Sequence, residues 1–171
     1  LDALKKEKVG TEFVKINKGQ KTNYHYVLWY EDDRTILVKH EKYDYVLPDF
    51  NDPAWVYFSS LGEDSLSFHE VLKKYLVAHP NIKLVFQPNT FQITFGAKKL
   101  SGIYKRTDVF ISNKEEAQRI LGTTEEDIKK LMDWLHKLGP KITVITDGIK
   151  GAYAYDGSTS LTTGSIWFMP P

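Results

Sequence analysis

The stretch Asp108-Val109-Phe110-Ile111-Ser112-Asn113-Lys114-Glu115-Glu116 decides the fold. Four residues of buried-strand type run without a spacer into a helix start, which reads as a capping box with Ser112 as N-cap. Gly122 closes that helix. The next helix carries Ile128, Leu131, Met132, Leu135 and Leu138 on one face and stops at Gly139-Pro140. Ile142 to Ile145 is again a short apolar strand, and the turn Asp147-Gly148 leads into Ala152-Tyr153-Ala154-Tyr155 as a further one. Strands joined through helices are parallel strands, because a tight hairpin can join only antiparallel ones.

The pattern extends upstream. Trp55-Val56-Tyr57-Phe58 predicts a strand, followed after Gly62 by a helix on Phe68, Val71, Leu72, Tyr75 and Leu76, with Ser67 and Glu70 as its capping box and Pro80 as its stop. Ile82 to Phe86 is the next strand, and a second helix is expected between Gln92 and Lys105. Ser165 to Phe168 reads as a last strand. The body, 54–171, is therefore α/β, with a mainly parallel sheet covered by helices on both faces. Before it lies a segment of different style, residues 20–48: Tyr24, Tyr26, Val27, Trp29 and Tyr30, the polar turn Glu31-Asp32-Asp33, then Thr35, Ile36, Leu37 and Val38, a β-hairpin rich in aromatics. Those aromatics suit a cover over a ligand, a contact with a second subunit, or a plain sheet face. Pro48, Asn51, Asp52 and Pro53 form the loop between the two parts.

Composition narrows the function classes. With 171 residues, 42% hydrophobic and 26% charged, the chain has enough apolar material to fold around a core. Lys+Arg of 23 against Asp+Glu of 22 leaves +1, with no basic block to serve nucleic acid or an anionic membrane. No apolar run reaches the ~18 residues of a membrane span. Cysteine is absent, which removes disulfides, a thiolate nucleophile and Cys-ligated zinc, and points to the cytoplasm. The five histidines, His25, His40, His69, His79 and His136, keep no metal-ligand spacing and are assigned no catalytic role. The chain opens at Leu1-Asp2-Ala3-Leu4-Lys5-Lys6 with a helical pattern under way and closes on Trp167-Phe168-Met169-Pro170-Pro171 after an apolar strand, so an excerpt of a longer protein is expected.

In parallel sheets ligands bind at the carboxyl ends of strands, so the strand exits are where chemistry is sought. At the first, Asn113 and Glu116 fall on one face of a helix N-terminus, where free N–H groups attract phosphate and a carboxylate can hold Mg²⁺ directly or through water. The same two residues also suit a plain cap. At the second, Thr146, Gly148 and Gly151 offer a hydroxyl and a backbone open to close approach, or simply a hairpin turn. At a third, Gln87 and Asn89 present amides that suit a sugar or nucleotide, or ordinary turn roles. Neither Gly-x-x-x-x-Gly-Lys-Ser/Thr nor Gly-x-Gly-x-x-Gly occurs.

Taken in order, Asn113-x-x-Glu116, the helix ending Leu138-Gly139-Pro140-Lys141, and Val144-Ile145-Thr146-Asp147-Gly148-x-x-Gly151-Ala152 resemble the second half of the ribokinase-like (PfkB) carbohydrate kinases. The hairpin with Asp33-Arg34-Thr35 is similar to part of the β-sheet lid those kinases fold over the sugar. The resemblance runs over nearly the whole chain. It implies a three-layer α/β/α fold, incomplete here, with a hairpin contributing to a lid sheet, so that 1–171 is part of one kinase domain. It implies ATP and Mg²⁺ as cofactors, with Asn113 and Glu116 placing the metal through water and Asn113, Thr146, Gly148 and Gly151 at the nucleotide. Gln87 and Asn89 fall loosely where relatives carry an Asp-x-Asn facing substrate. The implied reaction moves the ATP γ-phosphate to a sugar or nucleoside hydroxyl, and the lid implies a homodimer as a possible assembly. The family's catalytic Asp, in Gly-Ala-Gly-Asp, occurs nowhere in the chain and is expected beyond Pro171, so the fragment alone is expected to be inactive. The alternative is a ribokinase-like module that binds nucleotide or a partner protein without chemistry; an unrelated α/β nucleotide-binding enzyme is the third reading.

Overall fold

The computed structural model describes residues 1–30, 33–49 and 51–163. The chain divides into two compact units, Leu1–Asp49 and Phe50–Pro171.

In the first unit a short helix, α1 (Asp2–Lys6), precedes a hairpin of β1 (Tyr24–Tyr30) and β2 (Asp33–Lys39). The strands pair antiparallel from Tyr24 opposite Lys39 to Tyr30 opposite Asp33. The expected turn residues Glu31 and Asp32 lie outside the described residues. At the open end of the hairpin, Glu41 N–H donates to Asn23 Oδ1 at 2.7 Å and the Tyr43 hydroxyl donates to the Lys21 carbonyl. Alternation along a strand sends side chains to opposite faces, yet all of β1 is exposed, with Trp29 at 67% and Tyr30 at 77%. Apolar side chains on both faces of a two-stranded sheet cannot make a core of their own.

The second unit is built on a six-stranded sheet whose spatial order follows the sequence: β3 (Trp55–Phe58), β4 (Lys83–Phe86), β5 (Val109–Asn113), β6 (Ile142–Thr146), β7 (Ala152–Tyr155) and β8 (Ser160–Thr163). The first four are parallel, and β7 and β8 return antiparallel. The helices are α2 (Leu66–Ala78), α3 (Thr90–Phe95), α4 (Ser101–Arg106), α5 (Lys114–Leu121) and α6 (Ile128–His136). One face of the sheet bears Phe58, Phe86, Phe110, Thr143 and Ile145, all buried. Phe58 meets Phe68 and His69 of α2, Phe86 and Phe110 meet Tyr104 of α4, and the Thr143 hydroxyl reaches the Met132 carbonyl of α6 at 3.4 Å. On the opposite face Trp55, Tyr57 and Ile142 are exposed. Among the described residues of this unit, taken by itself, helices cover one face of the sheet and not both as expected, so two of the three expected layers are seen, because four parallel strands in sequence order place every crossover helix on the same side.

Asp108 fastens the amino ends of the strands. Its carboxylate accepts from Leu84 N–H at 2.9 Å, Lys141 Nζ at 2.6 Å and Arg106 at 3.2 Å, while the Arg106 guanidinium donates to the carbonyls of Leu76, His79, Pro80 and Ile82. Burial works against the charged carboxyl, but the Lys141 hydrogen bond, the Leu84 amide and the two cations outweigh it and hold Asp108 below the ordinary aspartate value.

Four expectations are corrected. The helix expected from Gln92 to Lys105 is two helices, because the chain turns at Gly96 with φ of 85°. Ser67 and Glu70 form no capping box: α2 begins two residues earlier, out of a 3-10 turn at Glu63–Ser65, and Glu70 pairs with Lys73 instead. The N-cap of α5 is Asn113, not Ser112, which still belongs to β5 and pairs with Ile145. The link after β6 is longer than a two-residue turn and contains a 3-10 turn at Gly148–Lys150. The strand expected at Ser165 to Phe168 lies outside the described residues; β8 precedes it, and the Asp156-Gly157 turn ahead of β8 was its readable signal.

Candidate functional site

β5 and β6 are parallel and in register, with Asn113 opposite Thr146, so both strands deliver their last residue to the same edge of the sheet. The chain then starts α5 from one strand and the Gly148–Lys150 turn from the other. The two motifs that the sequence reading singled out, 33 residues apart, are thereby neighbours.

Asn113 and Glu116 close a reciprocal box. Asn113 Oδ1 accepts from Glu116 N–H at 2.7 Å, and Glu116 Oε2 accepts from Asn113 N–H at 2.9 Å. Both residues therefore hold the helix start, as a plain cap requires. The box uses Oε2 of Glu116, and Oε1 makes no protein hydrogen bond among those described. Asn113 is exposed and Glu116 half-buried at the edge.

Thr146 is exposed, and Gly148 and Gly151 sit at φ of 51° and 97° in the turn beyond it. Those values favour glycine, and at Gly148 an added Cβ would meet nothing within 4 Å, so the turn is open on that side. Asp147 N–H donates to the Gly151 carbonyl at 2.9 Å, and the Lys150 ammonium lies 3.3 Å from the Asp147 carboxylate, closing the turn on itself.

Lys114 lies inside the Asn113-x-x-Glu116 motif and belongs to the same edge, without a sequence signal of its own. Its side chain is largely buried and pairs with Glu126. That hydrogen bond, with the charges of Glu126, Asp147 and Glu115, holds its ammonium above the ordinary lysine value. Glu126 also accepts from Gln118 Nε2 at 3.0 Å, so the loop between α5 and α6 is tied to the start of α5. A pair twelve residues apart across a loop leaves no periodic signal in a sequence.

At the exit of β4, Gln87 Oε1 accepts from the Tyr57 hydroxyl, bridging to β3. Asn89 is spent on structure. It caps α3 in a second reciprocal box with Gln92, and its Nδ2 donates to the Leu61 carbonyl at 2.9 Å. Of the two, Gln87 keeps its amide nitrogen for other uses.

The donor set at the edge suits a cation that keeps most of its water. One carboxylate beside a helix N-terminus matches how Mg²⁺ sits between protein and phosphates, and no group of three His, Asp or Glu forms a closed metal cage among the described residues.

The family model described as pfkB family carbohydrate kinase matches residues 1–167. A cytidine kinase of Thermococcus kodakarensis is 42% identical over 59 residues, which is 34% of this chain and 20% of that protein. Among solved structures, a PfkB protein from Polaromonas sp. JS666 matches 96% of this chain and 61% of its own at a TM-score of 0.72 and 16% identity. A fructokinase from Vibrio cholerae O395, with fructose, ADP and calcium bound, matches 97% and 58% at 0.71 and 16% identity. The nucleoside kinase of Methanocaldococcus jannaschii matches 95% and 52% at 0.67 and 15% identity. At such identities the likeness speaks for the fold. The chain spans 52–61% of the length of these three structures.

Proposed function

The chain belongs to the pfkB family of carbohydrate kinases, and from that premise we propose that it forms the nucleotide-facing part of an enzyme that moves the γ-phosphate of ATP to a hydroxyl of a sugar or nucleoside. The observation that carries this is the register of β5 against β6, which sets the α5 N-terminus beside the glycine turn. Bound Mg²⁺ would supply charge neutralisation across the transferring phosphate.

The chain's own residues orient and hold. Glu116, fixed through Oε2 by the cap, presents Oε1 to the metal's water shell, and Asn113 shares that shell. Thr146 offers its hydroxyl, and Gly148 and Gly151 let the backbone lie against the nucleotide. Gln87 faces the acceptor, while Asn89 acts only by shaping the loop. The hairpin at 20–48 serves as lid and as contact for a second copy, the body at 54–171 carries the site, and the protein works in the cytoplasm. No helix among the described residues is long and apolar enough to cross a membrane.

One observation favours a second reading, binding without chemistry: Asn113 and Glu116 bond each other in a reciprocal cap that needs no metal, and that reading holds if the full-length protein has no Gly-Ala-Gly-Asp. Without a base and an anion hole, transfer falls by a factor of about 10² or more for each. The test, made on the full-length protein because the kinase reading expects these 171 residues alone to be inactive, is phosphate transfer from Mg-ATP to a panel of sugars and nucleosides, alongside nucleotide binding by calorimetry. Transfer to any acceptor supports the kinase. Binding without transfer supports the second reading, and the absence of both transfer and binding defeats both readings.

A further inference from the structure

His69, on α2, is 1% exposed, and both its ring nitrogens are engaged. Nδ1 lies 2.8 Å from the Ser65 carbonyl oxygen, which can only accept, so Nδ1 carries the proton. Nε2 lies 3.1 Å from Gln92 Nε2. The Gln92 amide is itself oriented from the other side, because its Oε1 accepts from Asn89 N–H at 3.0 Å. Its NH₂ therefore faces the ring, and the bare Nε2 accepts. Gln92 N–H donates to Asn89 Oδ1 at 3.1 Å, and Asn89 Nδ2 continues the chain to the Leu61 carbonyl at 2.9 Å. The rings of Phe58 and Phe95 stand edge-on to the imidazole at 4.9 and 5.6 Å.

One imidazole in one tautomer thus fixes the exits of β3 and β4. A proton added at Nε2 would set a donor against the Gln92 NH₂. Relief requires the amide to turn over, which withdraws Oε1 from Asn89 N–H and opens the α3 cap. We propose that His69 is a positioning residue which, as the neutral Nδ1–H ring, shapes segment 87–90 through Gln92 and Asn89, and whose protonation releases that segment and weakens acceptor binding while nucleotide binding is unchanged. The acceptor half of this rests on Gln87 facing the acceptor, as proposed above.

Burial disfavours the charged ring and keeps His69 below the ordinary histidine value, against the Ser65 carbonyl and Glu70, which favour charge. Glu70 is the neighbouring charge on its own helix. From α3 and β3 it is met by Gln92, Phe95 and Phe58, none of which titrates.

The test is nitrogen–proton NMR of the histidine rings in the intact protein from neutral pH down to the acid limit at which it stays folded, with KM for acceptor and for ATP over the same range. The expected result is a ring protonated at Nδ1 alone at neutral pH, Asn89 and Gln92 amide signals that move only as His69 titrates, and an acceptor KM that rises several-fold on acidification while KM for ATP stays flat. Because His69→Leu can fail to fold, Gln92→Glu is the second variant. Its carboxylate accepts from both Asn89 N–H and a charged ring, so His69 should be doubly protonated at neutral pH and the acid rise in acceptor KM should vanish. A proton on Nε2 in the parent, a titration that leaves Asn89 silent, or an acid rise that persists in Gln92→Glu overturns the proposal. Absence of transfer to every acceptor, with the Nδ1–H ring in place, removes the kinase reading and leaves the lock standing.

Discussion

Glu116 caps a helix and, in the function proposed, also faces a metal, and a single substitution separates these duties. Gln at the same position also closes a capping box, so Glu116→Gln should unfold within ~0.5 kcal/mol of the parent by denaturant titration while phosphotransfer drops about 10²-fold. Unchanged transfer would leave the cap as its whole role. Asp108 is the opposite case, a carboxylate with no part in the proposed chemistry. Asp108→Asn keeps an acceptor for the Leu84 amide but loses the charge that Lys141 and Arg106 meet, and should cost on the order of 1–3 kcal/mol at neutral pH. Its carboxyl is held low in the fold, so its contribution is complete above the ordinary aspartate value and disappears as pH falls through the lower folded one. The parent should therefore lose its advantage over the variant in acid, measured as the gap between their denaturation midpoints. At this scale the sequence was legible to within one residue. Ser112-x-x-Glu115 and Asn113-x-x-Glu116 are both well-formed boxes, and what decides between them is that Ser112 is buried on the core face of β5 while Asn113, the last residue of that strand, is exposed and takes the Glu116 N–H.

Helix and strand periodicity placed the parallel strands and α2, α5 and α6, because each buries a face that repeats. It failed where a close approach or a network sets the structure. Gly96 divides α3 from α4, and a lone glycine inside a helical pattern does not by itself announce a break. Likewise, the Asn89–Gln92 box carries a spacing that could have been read, but the buried ring that orients it sits on another helix. Gly139, read only as a helix stop, has φ of 129°, and an added Cβ would stand 2.6 Å from Lys105 Cα and 2.9 Å from its backbone nitrogen. Gly139→Ala should accordingly destabilise by about 2–3 kcal/mol in equilibrium unfolding, since two backbones, not a flexible side chain, must separate. A loss under about 0.5 kcal/mol would show that the loop moves aside freely.

For the molecule as a whole, the hairpin of β1 and β2 is the feature that composition could not weigh. Its aromatics were legible, and their exposure on both faces was not, because which side of a strand is covered depends on partners that a sequence does not name. If the hairpin pairs with a second copy, sedimentation should show concentration-dependent association that Tyr26→Ser with Trp29→Ser removes. A monomer at every concentration ends that idea. The hairpin also has a history during synthesis. Lys39 leaves the ribosome about 120 residues before Thr163, the end of β8, roughly 6–25 s at ordinary elongation rates. Through that interval a strand pair with Leu28, Trp29 and Tyr30 outward stands ready, able to form in microseconds and unable to hide. Such a nascent chain should be held by chaperones, and its yield in a cell should fall when they are depleted even where its final stability is unchanged.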